Sequence, residues 1–214
     1  MKRRIVLLGP PASGKGTQAE MISATFQIPT ASPGAMFREE KRAGTSFGLE
    51  TDRLTSRGLL VPDEIVCGVV RSWLEKHDGE FVFDGFPRSA GQADSLEATL
   101  AERHTPLQVV FSLEADRATL EHRVLNRLVC SVCRTNVSIG MHVPDPGAPC
   151  PKCGGELIRR SDDTAETLAL RMREYAEKTR SLIAYYRERH LLRAIDAARP
   201  PEVVFAALSA ILAE

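Results

Sequence analysis

The sequence predicts an α/β fold: a doubly wound, five-stranded parallel sheet with two subdomains inserted into it. Two patterns point there. Short apolar or β-branched runs alternate with longer amphipathic stretches, the order that builds a parallel sheet covered by helices. The runs are also continuous, as in Ile5-Val6-Leu7-Leu8, which suits strands buried on both faces.

Taken in order, Arg4–Leu8, Gln27–Ala31, Phe81–Asp84, Gln108–Leu113 and Leu191–Asp196 read as strands. Helical patterns fill Gly14–Thr25, Pro62–Lys76, Ser89–Arg103, Arg117–Arg127, Asp162–Arg189 and Pro201–Leu212. Pro62-Asp63-Glu64 places a proline and two acids where a first helical turn favours them, and Ser161-Asp162-Asp163-Thr164 does the same for the next long helix. Two segments break the alternation. Ser32–Val61 reads as two or three short helices with no strand. Val129–Arg160 is rich in Gly, Pro and Cys and poor in helical periodicity. The expected division is a core of 1–31, 62–127 and 161–214, with insertions at 32–61 and 128–160.

Composition narrows the function. The chain has 214 residues, 43% hydrophobic and 26% charged, ordinary for a globular domain. Its 28 Lys+Arg balance 28 Asp+Glu. A nucleic-acid-binding domain usually carries a basic excess, because phosphate contacts dominate its affinity. Any anion here has to be met by a local cluster of cations, which suggests a small ligand in a cleft. After Met1-Lys2-Arg3-Arg4 only four apolar residues follow. That is too short for a signal sequence or a membrane span, so a cytoplasmic location without membrane attachment is expected.

The first strand runs into Gly9-Pro10-Pro11-Ala12-Ser13-Gly14-Lys15-Gly16-Thr17, and a helix opens there. This is the context a phosphate-binding loop requires. Backbone N–H groups in a tight turn form a nest for an anion, the helix N-terminus adds its positive end, and Lys15 adds a full charge. The plain alternative, a Gly-rich turn with an exposed lysine, does not account for the flanking strand and helix. Gly16 intervenes between Lys15 and the hydroxyl of Thr17, a recognised variant of the motif.

Gly-Pro-Pro-Ala-Ser-Gly-Lys-Gly-Thr-Gln closely resembles the phosphate loop of adenylate kinases, within the P-loop NTPase fold. Ser32-Pro33-Gly34-Ala35-Met36-Phe37-Arg38 resembles that family's monophosphate-binding helix. Asp84-Gly85-Phe86-Pro87-Arg88 resembles its most specific signature, with Gln92 four residues on. Arg123, Arg127, Arg160-Ser161-Asp162-Asp163 and Arg171 resemble the residues that enter and leave its lid. The resemblance implies transfer of the terminal phosphoryl group of Mg-ATP to AMP, giving two ADP, by a monomer. Lys15, Arg88, Arg123, Arg160 and Arg171 would be catalytic. Gly9 to Thr17, Arg123, Arg127 and Arg199 would bind ATP. Ser32, Pro33, Gly34, Arg38, Val61, Gly85, Arg88, Gln92, Arg160 and Arg171 would bind AMP, and Asp84 would hold Mg²⁺ through water. Ala12, Pro33 and Ala35 stand where the family often has Gly, a hydroxyl residue and Asp. The chemistry of the residues agrees, because phosphoryl transfer needs positioning and charge compensation, which Arg supplies with a bidentate fork. Two other functions stay open: a monophosphate kinase for another base, and a nucleic-acid-binding P-loop protein.

Cys130-Ser-Val-Cys133 and Cys150-Pro-Lys-Cys153 form a C-x2-C pair of pairs with 16 residues between. The spacing reads as a closed four-thiolate zinc site with a structural role. Two disulfides would be unusual in the cytosol, and neither pair follows a strand as a redox motif would. A nucleic-acid-binding zinc ribbon is the main rival. Against it, Val129–Leu157 carries only Arg134 and Lys152 as basic residues and no aromatic ring for base stacking. Iron is the alternative metal. Cys67 falls on an apolar helix face and reads as a core thiol. The five histidines show no ligand spacing and receive no chemistry.

Overall fold

The computed structural model describes residues 3–55, 61–77, 79–133, 135–159 and 163–213. The sheet is built from β1 (Arg4–Leu8), β2 (Thr30–Ala31), β3 (Phe81–Asp84), β4 (Val109–Glu114) and β8 (Leu192–Asp196). Its strand order is β2-β3-β1-β4-β8, and every pair is parallel. Successive residues of β1 explain why it lies in the middle. Ile5 and Leu7 enter one apolar cluster with α1 (Lys15–Phe26) and α9 (Pro201–Leu212). Val6 and Leu8 enter another with α4 (Asp63–Lys76), α5 (Ala90–Glu102) and α8 (Ser181–Glu188). All four are at most 2% exposed. Each such side chain contributes about 1.5–3 kcal/mol on leaving water. The expected doubly wound parallel sheet is therefore the observed one.

Strand order reverses around β1, whose neighbours are β3 on one side and β4 on the other. In open α/β sheets ligands bind beyond the carboxyl ends of strands at such a switch point. Leu7 pairs with Asp84, which sets the Asp84 carboxylate beside the loop leaving β1. Between β2 and β3 lie α2 (Pro33–Arg42), α3 (Ser46–Thr55) and α4, consistent with a helical stretch lacking a strand.

The sequence expectation fails in three places. The helix placed at Arg117–Arg127 stops at Leu125 (α6, Arg117–Leu125), and Arg127 begins a strand. The strand placed at Gln27–Ala31 retains only two ladder residues, because Gln27 takes a left-handed φ of 56° at the end of α1. The helix expected over Asp162–Arg189 is interrupted. After α7 (Ala165–Glu174) the chain widens to a π turn at Tyr175–Thr179 before α8, and Asp162 itself lies outside the described residues. The cysteine-rich stretch carries strands the sequence did not announce. β5 (Arg127–Cys130) pairs antiparallel with β6 (Asn136–Ser138) and β7 (Leu157–Ile158). Leu128, Val137, Val143 and Leu157 form a small core there with Cys130 and Cys150. No helix among the described residues is long and apolar enough to cross a membrane.

Candidate active site and metal centre

The loop after β1 is held by close approach. Gly9 has φ 150°, and a Cβ on it would sit 2.7 Å from Leu113 O of β4, so no larger residue fits. Ala12 takes φ 64°, a left-handed conformation that costs an alanine about 1–2 kcal/mol. The Cβ the sequence placed there is therefore tolerated under strain. α1 follows with Gly14 as its cap and no side-chain hydrogen bond to its first turn. The first N–H groups of a helix have no partner within it, so those of α1 remain for an anion.

Lys15 folds back over this loop, donating to Gly9 O and Pro10 O at 2.8 Å each. Burial pushes its ammonium down to about 8; Asp84 pulls the other way, while Arg88 and Arg127 add to the lowering. Asp84 is the reciprocal case. Burial raises its carboxyl above the usual carboxylate range, and Lys15 and Arg88 oppose the rise. A Cβ on Gly16 would lie 3.4 Å from Asp84 Oδ2, so the carboxylate faces the start of α1 directly. The two charges are mutually attractive and both poorly solvated, an arrangement suited to a metal–phosphate group.

A cavity of about 300 Å³ opens over the loop. Ser13 to Gln18, Asp84, Arg123 and Arg127 line it, together with Arg199, Pro201 and Val204 on the far wall. Arg123, half-buried on α6, donates to Ala197 O at 2.7 Å and Arg199 O at 3.4 Å. Burial lowers its guanidinium pKa, and Asp196 opposes. Arg127 grips Asp163 with both Nε and a terminal nitrogen, a paired fork whose Asp163 side chain is 2% exposed. This ion pair ties the strand leaving α6 to the segment entering α7.

The remaining site candidates lie beside this cavity. Arg88 is exposed and donates from Nε to Gly85 O at 2.8 Å, close enough for its charge to act on Lys15 and Asp84. Gln92 is buried and held from two sides: its Oε1 accepts the Arg88 N–H, and its Nε2 donates to Asp63. Ser32 caps α2, accepting the Ala35 N–H at 3.3 Å, with Pro33 and Gly34 in the first turn. Arg38 is exposed on α2, its guanidinium 3.6 Å from where a Gly34 Cβ would stand. Val61 packs against the larger core cluster. Arg171 is half-buried on α7. Neither Arg38, Arg88 nor Arg171 forms part of the cavity wall among the described residues. Arg160 lies outside the described residues, as do Ser161 and Asp162.

Sequence reasoning missed a wall. Asn136, Ser138, Met141 and His142 also line the cavity. His142 shows no ligand spacing in the sequence, yet its Nδ1 accepts the Ser138 N–H at 3.0 Å while its backbone N–H donates to Ser138 O at 2.9 Å. No spacing signal marks these residues, because the hairpin that delivers them follows three-residue and four-residue strands. The readable cue was their position just after the first cysteine pair.

The cysteines do converge. All four sulfurs of Cys130, Cys133, Cys150 and Cys153 lie within 4.8 Å of one another. Cys130 and Cys153 are 3.5 Å apart, Cys133 and Cys150 3.7 Å. A Zn–S tetrahedron has edges of about 3.8 Å, whereas a disulfide needs about 2.05 Å. The set therefore fits one tetrahedral ion and not two disulfides. Backbone geometry supports it: the Cys133 N–H points at Cys130 Sγ at 3.5 Å. Gly155 is required too, since a Cβ there would lie 3.0 Å from Cys130 Sγ and 2.9 Å from Val132 Cγ2.

A helix N-terminus left open for an anion, a buried lysine facing a carboxylate, and arginines around one cavity define a phosphate-binding P-loop protein. The family model for adenylate kinase matches residues 7–191. The adenylate kinase of Syntrophotalea carbinolica is 44% identical over 195 residues, 90% of each chain. That of Methanosarcina acetivorans is 40% identical over 212 residues, 98% of each chain. That of a Geobacillus species is 40% identical over 210 residues, 97% of each. The chain belongs to the adenylate kinase family and is a phosphotransferase.

Proposed function

We propose that the protein transfers the terminal phosphoryl group of Mg-ATP to AMP and yields two ADP. The observation that carries this reading is the convergence of Lys15, Asp84, Arg123 and Arg127 on one cavity, with the Arg88 charge acting on the same lysine and carboxylate. In this reading the N–H groups of Gly14 to Thr17 and the Lys15 ammonium hold the ATP phosphates, and Arg123 with the 197–199 backbone holds the nucleoside. Arg38 and Arg88 take the AMP phosphate, Gln92 meets its base, and Arg160 and Arg171 close on the transferring group. Asp84 would hold Mg²⁺, which supplies charge neutralisation between the phosphates when bound. The AMP phosphate oxygen is already ionised, so the protein's work is alignment, exclusion of water and charge compensation, not proton abstraction.

Residues 32–61 and 128–160 act as two separate clamps on the core. Zinc on the four cysteines fixes the second clamp, because a unit of about 30 residues buries too little apolar surface to hold its own shape. The Arg127–Asp163 pair sits where that clamp meets the core. The protein works as a cytoplasmic monomer.

The decisive assay follows ADP formation from ATP with AMP, CMP, UMP or GMP as acceptor. AMP should give the highest kcat/KM by at least about 100-fold, since a site built to hydrogen-bond one base leaves buried groups unpaired with another. Equal rates across the four acceptors would remove AMP as the substrate. Oligonucleotide binding without phosphoryl transfer would favour the zinc-ribbon reading.

A further inference from the structure

Gln92 is held in one orientation from two sides. Its Oε1 accepts the backbone N–H of Arg88 at 2.8 Å, and its Nε2 donates to Asp63 Oδ1 at 2.6 Å. These partners have opposite polarity. Rotating the amide by half a turn would bring an NH2 group against an N–H and a carbonyl oxygen against a carboxylate, and both contacts would become repulsive. Asp63 is itself fixed. Its Oδ2 accepts the Ser89 hydroxyl at 2.5 Å, and the Ser89 hydroxyl oxygen in turn caps α5 by accepting the Gln92 backbone N–H at 3.2 Å. Asp63 stands in the first turn of α4, where the helix end favours a carboxylate. Gln92 is 5% exposed, so an unmatched amide would not be rescued by bulk water.

We propose that Asp63 is a specificity-positioning residue: by fixing the order of donor and acceptor on the Gln92 amide, it makes the monophosphate site select a 6-aminopurine over a 6-oxopurine. The inference rests on the reading that Gln92 meets the acceptor base. With one lone pair taken by Arg88 and one N–H taken by Asp63, the amide offers a ligand one acceptor and one donor in a fixed order. A 6-aminopurine presents an exocyclic N–H donor next to the ring acceptor N1. A 6-oxopurine presents the reverse, an acceptor oxygen next to an N1–H donor. A freely rotating glutamine amide could satisfy either base by flipping. Asp63 and the Arg88 backbone forbid the flip, and of the two only Asp63 is a side chain.

The test compares kcat/KM for AMP, IMP and GMP at saturating ATP in the wild type, Asp63→Asn and Gln92→Ala. The wild type should prefer AMP to IMP by at least about 100-fold. Asp63→Asn is nearly isosteric and can turn its own NH2 toward a flipped Oε1, which releases the side-chain half of the lock and leaves only the Arg88 N–H to oppose the flip. It should lower the AMP-to-IMP ratio by about tenfold or more, raise the KM for AMP, and leave the KM for ATP unchanged. A fall in melting temperature with an unchanged AMP-to-IMP ratio would mean a purely structural role and overturn the proposal. So would a wild type that uses IMP as readily as AMP, a result independent of any variant's folding. Gln92→Ala separates the two levels. If it leaves the KM for AMP unchanged, Gln92 does not meet the base and the underlying reading fails. If it raises that KM while Asp63→Asn spares selectivity, only the role of Asp63 fails.

Discussion

Lys15→Met should lower kcat/KM for ATP by about 10²–10³-fold, the cost of removing one preorganised charge from a poorly solvated site. The protein should still fold, because the hydrogen bonds of the ammonium stay within its own loop, to Gly9 O, Pro10 O and the Ser13 hydroxyl. The same lysine predicts a pH profile. Without nucleotide its pKa is about 8, well below the ordinary lysine value of 10.5. A phosphate-bearing ligand needs the ammonium form, and kcat/KM reports the free enzyme. It should therefore fall as pH rises through about 8, while kcat, which reports the occupied site, holds to higher pH. Lys15→Arg should remove that alkaline limb. The sign for stability is opposite. A cation whose folded pKa is depressed destabilises the protein fully below about 8, and this penalty is relieved between about 8 and 10.5. Raising pH across that window should thus stabilise the protein at this residue while weakening its hold on ATP. A flat kcat/KM profile between pH 7 and 10 would show that Lys15 does not meet the phosphates.

Removing the metal should have an effect of similar or larger size, confined to one part of the molecule. Structural zinc sites bind with about 10–16 kcal/mol in small zinc-finger peptides, and that free energy is folding free energy. Here the ion would hold together two cysteine turns and a small cluster around Leu128, Val137 and Leu157, with two of the thiols inside it. The core sheet has two apolar clusters of its own and should survive. Chelation, or Cys150→Ser, should release one zinc per chain, lower the melting temperature and cut kcat severely, with far-ultraviolet dichroism still dominated by the core. The loss of rate follows from position: Asn136, Ser138 and His142 wall the cavity and ride on this unit. An unchanged melting curve after complete metal removal would contradict a structural ion.

The core and the phosphate loop were legible because their signals are local. β1 is a continuous apolar run, and Gly9 to Thr17 encode a loop whose special backbone positions fall on Gly9, Ala12 and Gly14. Asp84 was legible through its place at the end of β3. The strands β5 to β7 were not, because each has two to four residues and none shows a full alternation. Their order comes from cross-strand pairing and from the convergence of the four cysteines, both of which are long-range. That blindness hid His142 and moved Arg127 from a helix end to the first residue of a strand. The π turn at Tyr175–Thr179 was equally invisible, since it depends on packing. One consequence is that Thr179 donates to Arg88 O at 3.1 Å, linking the helix that returns from the cysteine unit to the Asp84–Arg88 segment. The Gln92 orientation was hidden for a related reason: Asp63 looked like an ordinary helix-start acid, and only the fold brings it to residue 92.

The central claim is that Lys15, Arg88, Arg123 and Arg171 gather around phosphates lying between two nucleotides. It is tested most directly by a crystal structure with a bisubstrate compound, two adenosines joined through their 5′ oxygens by a chain of five phosphates. The expected result is a single bound molecule, with one adenosine against Arg123 and the 197–199 backbone, the other against Gln92, and all four cations within hydrogen-bond distance of the phosphate chain. A compound bound with its phosphates away from Lys15, or with Arg88 and Arg171 turned to solvent in the closed complex, would contradict it.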